Sequence, residues 1–370
     1  MTDITASSEA EVIDAVRGAR DWKSPLNIVG GRSKRGYGRA VASWGTVLDL
    51  SGLAGIVAYE PDEMILTVKP GTKVTQIAAL LAEHNQCLGF DPPDWGPLFG
   101  APPGCGTIGG AIAADVAGAR AVRYGRVRDH LLGFRAVNGL GEAYKAGGKV
   151  VKNVTGFDLP KLMCGSFGTL GPLTEVTLRV FPKAVRSVTL VAALDAEEGL
   201  SLLRRIWSSP VEAVGLAYRP GEGALIRLEG AVDALAEKIA WLRDSASARE
   251  VADDVWNSLD AQFLSASRDI WRIVLPPANA ARLIDEIAPE LWYADWAGGA
   301  VWIGTNDTNL RDVAVRSGGQ AVLVRASDER KARVPVFAPE TPERAALTRV
   351  VKAAFDPLGL FNLGRMWDGV

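Results

Sequence analysis

Apolar side chains recur along this chain with two periods, one helical and one of two residues. Glu9 to Arg20 sets Val12, Ile13 and Val16 on one face and predicts a helix, and Pro25 to Val29 follows as a short apolar strand. Thr46 to Leu50 and Met64 to Lys69 predict further strands. Pro70-Gly71 turns the chain, and Thr72 stands as the cap of a helix carrying Val74, Ile77, Ala78 and Leu81 at helical spacing. From Phe90 to Gly110 proline and glycine erase the period, which predicts a long loop, plain or ligand-facing. A small-residue helix over Ala111 to Ala117, then Val127 to Val137, then a strand ending at Val180 complete a first region. In that last strand Val176, Leu178 and Val180 alternate with Thr177 and Arg179.

Pro182 marks a boundary. Beyond it Ser187 to Leu194 predicts a strand, and Asp195 with Glu198 starts a helix that ends near Ser208. Val211 to Tyr218 and Ala224 to Glu229 predict strands around Pro220-Gly221-Glu222-Gly223, and Ala231 to Leu242 a helix. That order, β-α-β-β-α, is a ferredoxin-like pattern. Trp271 to Leu275, Ala280 to Ile287, Ala300 to Gly304 and Ala321 to Val324 repeat it in weaker form. The last stretch predicts a helix over Pro342 to Phe355 and then a glycine-rich apolar loop, DPLGLFNLGRMW, suited to pack back on the first region.

Composition narrows the function classes. A chain of 370 residues at 48% hydrophobic can bury two or three cores. The net charge of −2 gives no footprint for nucleic acid. No run of 18 apolar residues occurs, so direct membrane insertion is not expected and the predicted location is cytoplasmic, with membrane association left to partners. Cys87, Cys105 and Cys164 lie far apart without a C-x-x-C, which argues against a disulfide framework, a zinc knuckle and an iron–sulfur cluster. Eight of the 11 tryptophans follow Pro182. Trp256, Trp271, Trp292, Trp296 and Trp302 are thus candidates for a docking surface, or for core.

Glycine clusters carry the chemistry. After the Leu26–Val29 strand, Gly30, Gly31, Arg32, Ser33 and Lys34 set main-chain amides beside positive charge, the makings of a phosphate nest or of a plain turn. No G-x-x-x-x-G-K-[ST] occurs, and no G-x-G-x-x-G opens a helix in a βαβ unit. The second cluster, Pro102 to Gly125, leaves the backbone nearly bare at Gly109, Gly110 and Ala111, suited to a flat ring system or to close helix–sheet packing. The third, Lys152 to Glu175, spaces Gly156, Gly165, Gly168 and Gly171 around a short helix that Asp158 can cap. Tight turns flanking a hairpin would explain it as well as a ligand would.

Taken in order, the segments IVGGRSKRGYG, GTIGGAIAADVAG with RYGRVRDHLLG, and GGKVVKNVTGFDLPKLMCGSFGTLGPLTEVTL resemble the FAD-binding domain of the vanillyl-alcohol-oxidase (PCMH-type) flavoproteins. The closing FDPLGLFNLGRM resembles the C-terminal signature of that family. The resemblance implies an α+β fold: a PCMH-type FAD-binding domain of two α+β subdomains over 1–183, a ferredoxin-like α+β cap over 184–335, and a segment 336–370 returning to the FAD domain. It implies that Gly30 to Lys34 cradle the FAD pyrophosphate, that Thr107, Gly109, Gly110 and Ile112 flank the flavin and ribityl chain, and that Gly168, Gly171 and Leu173 contact the adenine end. Pro102 and Asn362 join this cofactor set. Pro172 removes one amide donor that the family usually offers. Arg32, Ser33 and Lys34 stand where some members carry a histidine that tethers FAD, so noncovalent FAD is implied.

Members that oxidise a 2-hydroxyacid themselves carry a His-Xaa-Gly-Asp-Gly-Asn-type motif in their second half, which supplies metal or base histidines. This chain has two histidines, His84 and His130, and none after His130. His84 is expected at a solvated helix end and His130 in the core. In this it resembles the FAD-binding accessory subunits of bacterial glycolate oxidases, a branch that implies electron transfer in glyoxylate metabolism beside two partners. Those are a catalytic FAD-linked 2-hydroxyacid oxidase subunit and an iron–sulfur subunit. Two alternatives stand beside it: a self-sufficient FAD-dependent D-2-hydroxyacid dehydrogenase, and a non-catalytic scaffold subunit that has lost FAD.

Overall fold

The computed structural model describes residues 3–41, 45–148, 157–258, 269–306 and 308–370, so the part of the third glycine cluster up to Gly156 lies outside the described residues. The chain divides into two compact units. The first comprises Met1–Ala117, Arg126–Pro182 and Pro339–Val370; the second comprises Gly118–Gly125 and Lys183–Ala338. Gly118–Gly125 therefore leaves the stretch that the sequence assigns to the first region.

In the first unit the helix Glu9–Trp22 starts where Ser8 Oγ accepts from Glu11 N at 3.2 Å and buries Val12, Ala15, Val16 and Ala19. These side chains pack with Leu26, Leu48, Leu53 and Phe361 against a parallel three-stranded sheet, in the order Ile4–Thr5, Thr46–Asp49, Leu26–Val29. A second, antiparallel sheet runs Ile56–Glu60, Ile65–Val68, Leu173–Arg179, Leu131–Val137, Ala143–Gly147. Leu66, Val68, Phe134, Val176 and Leu178 from it share a core with Ile77, Ile108, Ile112 and Met163. The strands Ile56–Glu60 and Ala143–Gly147 were not expected. Both are sheet edges, and their half-exposed side chains leave little apolar alternation to read. Thr72 does not cap the helix Val74–Glu83; that position belongs to Lys73. Thr72 Oγ1 instead donates to Lys69 O at 2.7 Å and accepts from Gly55 N at 2.9 Å, pinning the preceding turn.

The second unit is one antiparallel eight-stranded sheet built twice over. Arg186–Ala192, Ala196–Trp207, Gly215–Arg219, Gly223–Gly230, Val232–Ala246 and Arg249–Val251 form a β-α-β-β-α-β repeat. Its strands stand in the order fourth, first, third, second, the ferredoxin-like arrangement. Asp269–Val274, Ala280–Ile287, Leu291–Asp295, Ala300–Thr305, Arg311–Arg316 and Gln320–Arg325 repeat it, and the two halves join edge to edge through Tyr218 and Ala294. Helix residues Leu203, Ile206, Leu235, Ile239 and Leu283 share one core with Leu190, Leu216, Ile226, Trp271 and Ile303 of the sheet.

The tryptophans proposed as a docking surface are mostly interior. Trp271, Trp292 and Trp302 are buried, and Trp256 donates from Nε1 to Thr189 Oγ1 at 2.8 Å. Arg272 lies with its guanidinium 5.6 Å from the Trp302 ring centroid, a packing role rather than an open anion site. No described helix is long and apolar enough to cross a membrane.

Candidate cofactor site

The glycine clusters converge within the first unit. The strand Leu26–Val29 runs into the Gly30–Arg35 loop, and this loop packs on the segment leading to Thr107 so tightly that side chains are excluded. A Cβ on Gly31 would lie 1.8 Å from Cys105 O, and one on Gly30 would lie 2.8 Å from Thr107 Oγ1. The third cluster is held in the same way, since a Cβ on Gly168 would meet Asn362 Nδ2 at 2.7 Å and one on Gly171 would meet Val137 O at 2.5 Å.

Between these segments lies a cleft of two adjoining lobes. The first is lined by Asn27, Gly31, Ser33, Lys34, Tyr37 and Arg365 among others. The second adds Leu50, Pro70, Gly109, Met163, Gly168, Gly171 and Leu173. Gly30, Thr107, Gly110, Phe167 and Asn362 line both. The first lobe is rich in donors and cations, and the second is mainly apolar.

Twelve of the fourteen predicted cofactor residues are thereby brought together, and two are not. Pro102 is exposed on its loop and lines neither lobe. Ile112 is wholly buried in the apolar core, where the helix Ile108–Ala114 turns it away from the bare Gly110–Ala113–Ala114 face. Arg32 lines the cleft, but its guanidinium is committed to Asp49 at 2.9 Å and Asp3 at 3.2 Å.

Several cleft groups lack a use within the protein. Among the described residues the main-chain amides of Gly31, Arg32, Ser33 and Lys34 donate no hydrogen bond, which leaves a run of consecutive donors. The Lys34 ammonium reaches Ser33 Oγ at 3.0 Å, and burial pushes its pKa down to about 8 against the opposing pull of Asp94 and Cys105. Asn27, only 4% exposed, holds its Nδ2 without a partner. Orphaned donors and a desolvated cation ask for a ligand rich in anionic acceptors, and the apolar second lobe suits a flat ring. The site therefore fits a dinucleotide that joins a diphosphate to an aromatic base.

Three lining residues occupy the left-handed region without being glycine: Arg32 (φ 57°), Phe167 (φ 53°) and Asn362 (φ 43°). Asn362 explains how they are held. Its Oδ1 accepts from Ile28 N at 2.7 Å, and its Nδ2 donates to Phe167 O at 2.7 Å, so one side chain ties the first loop's strand to the third cluster. Arg365 continues the tie by donating to the carbonyls of Arg35, at 2.6 Å, and Tyr37.

Tyr37, Phe167, Arg365 and Asn27 escaped the sequence reading. The first three sit inside or beside quoted motifs, and the edge-on Tyr37–Phe167 packing at 4.9 Å between ring centroids joins two of those motifs. Asn27 carried a signal of its own, a polar residue in the middle of the apolar LNIV strand.

Comparison with known proteins decides between ligand classes. Residues 3–147 match the family described as FAD binding domain (FAD_binding_4). Glycolate oxidase subunit GlcE of Escherichia coli (strain K12) is 35% identical over 362 residues, 96% of each chain. The chain belongs to this FAD-binding family of GlcE-type subunits. FAD is its cofactor, and its chemistry is FAD-dependent oxidoreduction. A D-lactate dehydrogenase of Anaerostipes hadrus is 31% identical over 188 residues, 51% of this chain but 38% of the relative. The fold is that of p-cresol methylhydroxylase, whose structure overlays with a TM-score of 0.73 at 15% identity, covering 99% of this chain and 88% of that one.

Proposed function

We propose that this chain is the FAD-binding accessory subunit of a glycolate oxidase, holding noncovalent FAD in an electron path while a second, catalytic flavoprotein subunit oxidises the 2-hydroxyacid and an iron–sulfur subunit accepts the electrons. The carrying observation is the match along 96% of both chains to a protein named as one subunit of that oxidase. FAD supplies an acceptor that takes two electrons together and releases them singly. This chain's own residues bind and orient it. The Gly31–Lys34 amides and the Lys34 ammonium receive the diphosphate, the Leu50–Leu173 lobe receives the adenine, and Asn362 keeps the two walls in register.

The histidines support a division of labour. His130 is 1% exposed between Phe90 and Phe181, with ring centroids at 5.3 and 5.2 Å, and His84 is exposed at a helix end against Tyr59. Neither lines the cleft, so neither stands ready as a base for a hydroxyl proton.

The test is to purify the chain alone and with its candidate partners. The isolated chain should carry FAD that acid releases, and should fail to reduce an artificial acceptor with glycolate or D-lactate. Co-expression should yield a complex with a second flavoprotein and a cluster protein that does turn over. Turnover by the isolated chain would overturn the accessory role in favour of a self-sufficient dehydrogenase.

A further inference from the structure

Leu26 and Ile28 of the Leu26–Val29 strand pack toward the apolar core beneath the helix Glu9–Trp22, so the residue between them belongs to the other face. That residue is Asn27, and it lines the donor-rich lobe. Its register partner across the sheet is Val47, whose side chain offers no acceptor. Its Nδ2 is buried and unpartnered. A buried amide without an acceptor destabilises a folded chain, and an apolar residue of similar size would remove that cost. The lobe's lining includes Arg32, Lys34, Arg35 and Arg365 but no Asp or Glu, so no carboxylate of the lobe relieves it. A ligand with anionic oxygens would bring the acceptor that the protein does not place there.

We infer that Asn27 is a specificity residue for the cofactor, donating its side-chain amide to a phosphate oxygen of the FAD diphosphate. This rests on the cleft being the FAD site. The phosphate is the moiety chosen because Asn27 shares its lobe with the free Gly31–Lys34 amides and not with Leu50, Pro70 and Leu173 of the apolar lobe. Asn27 thus does for the diphosphate from the strand what the glycine loop does from its amides. It favours ligands with a diphosphate over those with only a base and sugar.

The experiment uses the full chain stripped of FAD. Binding of FAD is followed by flavin fluorescence quenching, ADP and adenosine by competition, and stability of the stripped chain by thermal unfolding. Asn27→Leu should weaken FAD and ADP about tenfold, leave adenosine unchanged, and leave the melting point of the stripped chain equal or higher. Asn27→Asp, which keeps the shape, should weaken both phosphorylated ligands further by placing a carboxylate against phosphate, and it serves if the leucine variant does not fold. Undiminished FAD affinity in both variants would overturn the assignment. So would a loss of affinity equal for ADP and adenosine. Failure of the unmodified chain to bind FAD would instead sink the identification of the cleft itself.

Discussion

Lys352 donates from Nζ to Asp356 Oδ2 at 2.7 Å, and both side chains are almost wholly buried. The same ammonium donates to Thr169 O at 2.6 Å and Phe361 O at 2.9 Å. Asp356 in turn accepts from the amides of Leu360 and Phe361. One ion pair thus clasps the third glycine cluster to the returning C-terminal loop, directly behind Asn362. Removing one partner strands a buried charge. Lys352→Met should cost about 3–5 kcal/mol of stability in denaturant unfolding. A loss under about 1 kcal/mol would show that the clasp carries little of the fold.

The Lys34 ammonium should make cofactor affinity depend on pH. Burial depresses its pKa to about 8 in the cofactor-free chain, and a bound phosphate favours the charged form and raises it. Binding above that value therefore takes up a proton. FAD affinity should be flat below about pH 8 and fall as pH rises through it, and Lys34→Met should bind weakly with no such slope. A titration series of FAD fluorescence across this range reads both, and an unchanged slope in the variant would assign the pH dependence elsewhere.

Gly31→Ala tests the loop-on-loop packing. Its Cβ would be driven into the Cys105 carbonyl, and backbone cannot yield as a flexible side chain would. We expect about 1–3 kcal/mol of destabilisation and loss of FAD on gel filtration, because the amide run is displaced from the cleft. Gly148→Ala, with nothing within 4 Å of the added atom, is the matched control and should retain FAD.

Acid stability should report on Glu9. Hydrogen bonds from Arg135 hold its carboxyl below the ordinary value of 4.5, against burial and with help from Thr174. A folded-state value below the unfolded one means that this contribution is complete above pH 4.5 and lost as pH falls through the lower value. Glu9→Gln should therefore be less stable than the unmodified chain at neutral pH and decline less steeply on acidification, as read from thermal midpoints along a pH series.

The cofactor loops were legible because their glycines answer a steric demand that no other residue meets: Gly31 against Cys105, Gly171 against Val137. A position that only glycine can fill announces itself in the sequence. Phe167 and Asn362 adopt left-handed backbone without being glycine, and no glycine marks these positions; the distant Asn362–Phe167 hydrogen bond offsets the strain. Ile112 lies outside the cleft for the opposite reason. It shares the small-residue helix with Gly110 and Ala113, and only the helical phase separates the face that lines the cleft from the face that enters the core. In the second unit the doubled repeat was readable from its period, but Leu291–Asp295, buried along nearly its whole length rather than alternating, was not.

The ties from Asn362 and Arg365 to Ile28, Phe167 and Tyr37 set an order of events during synthesis. The glycine loops emerge from the ribosome early, but the side chains that fix them are made more than 300 residues after Ile28, as the separation of 334 from Asn362 records. A nascent chain stopped short of Asn362 holds the free Gly31–Lys34 amides and none of these clamps. The clamps on the glycine loops therefore exist only once the chain has been made through Asn362 and Arg365, long after the loops themselves.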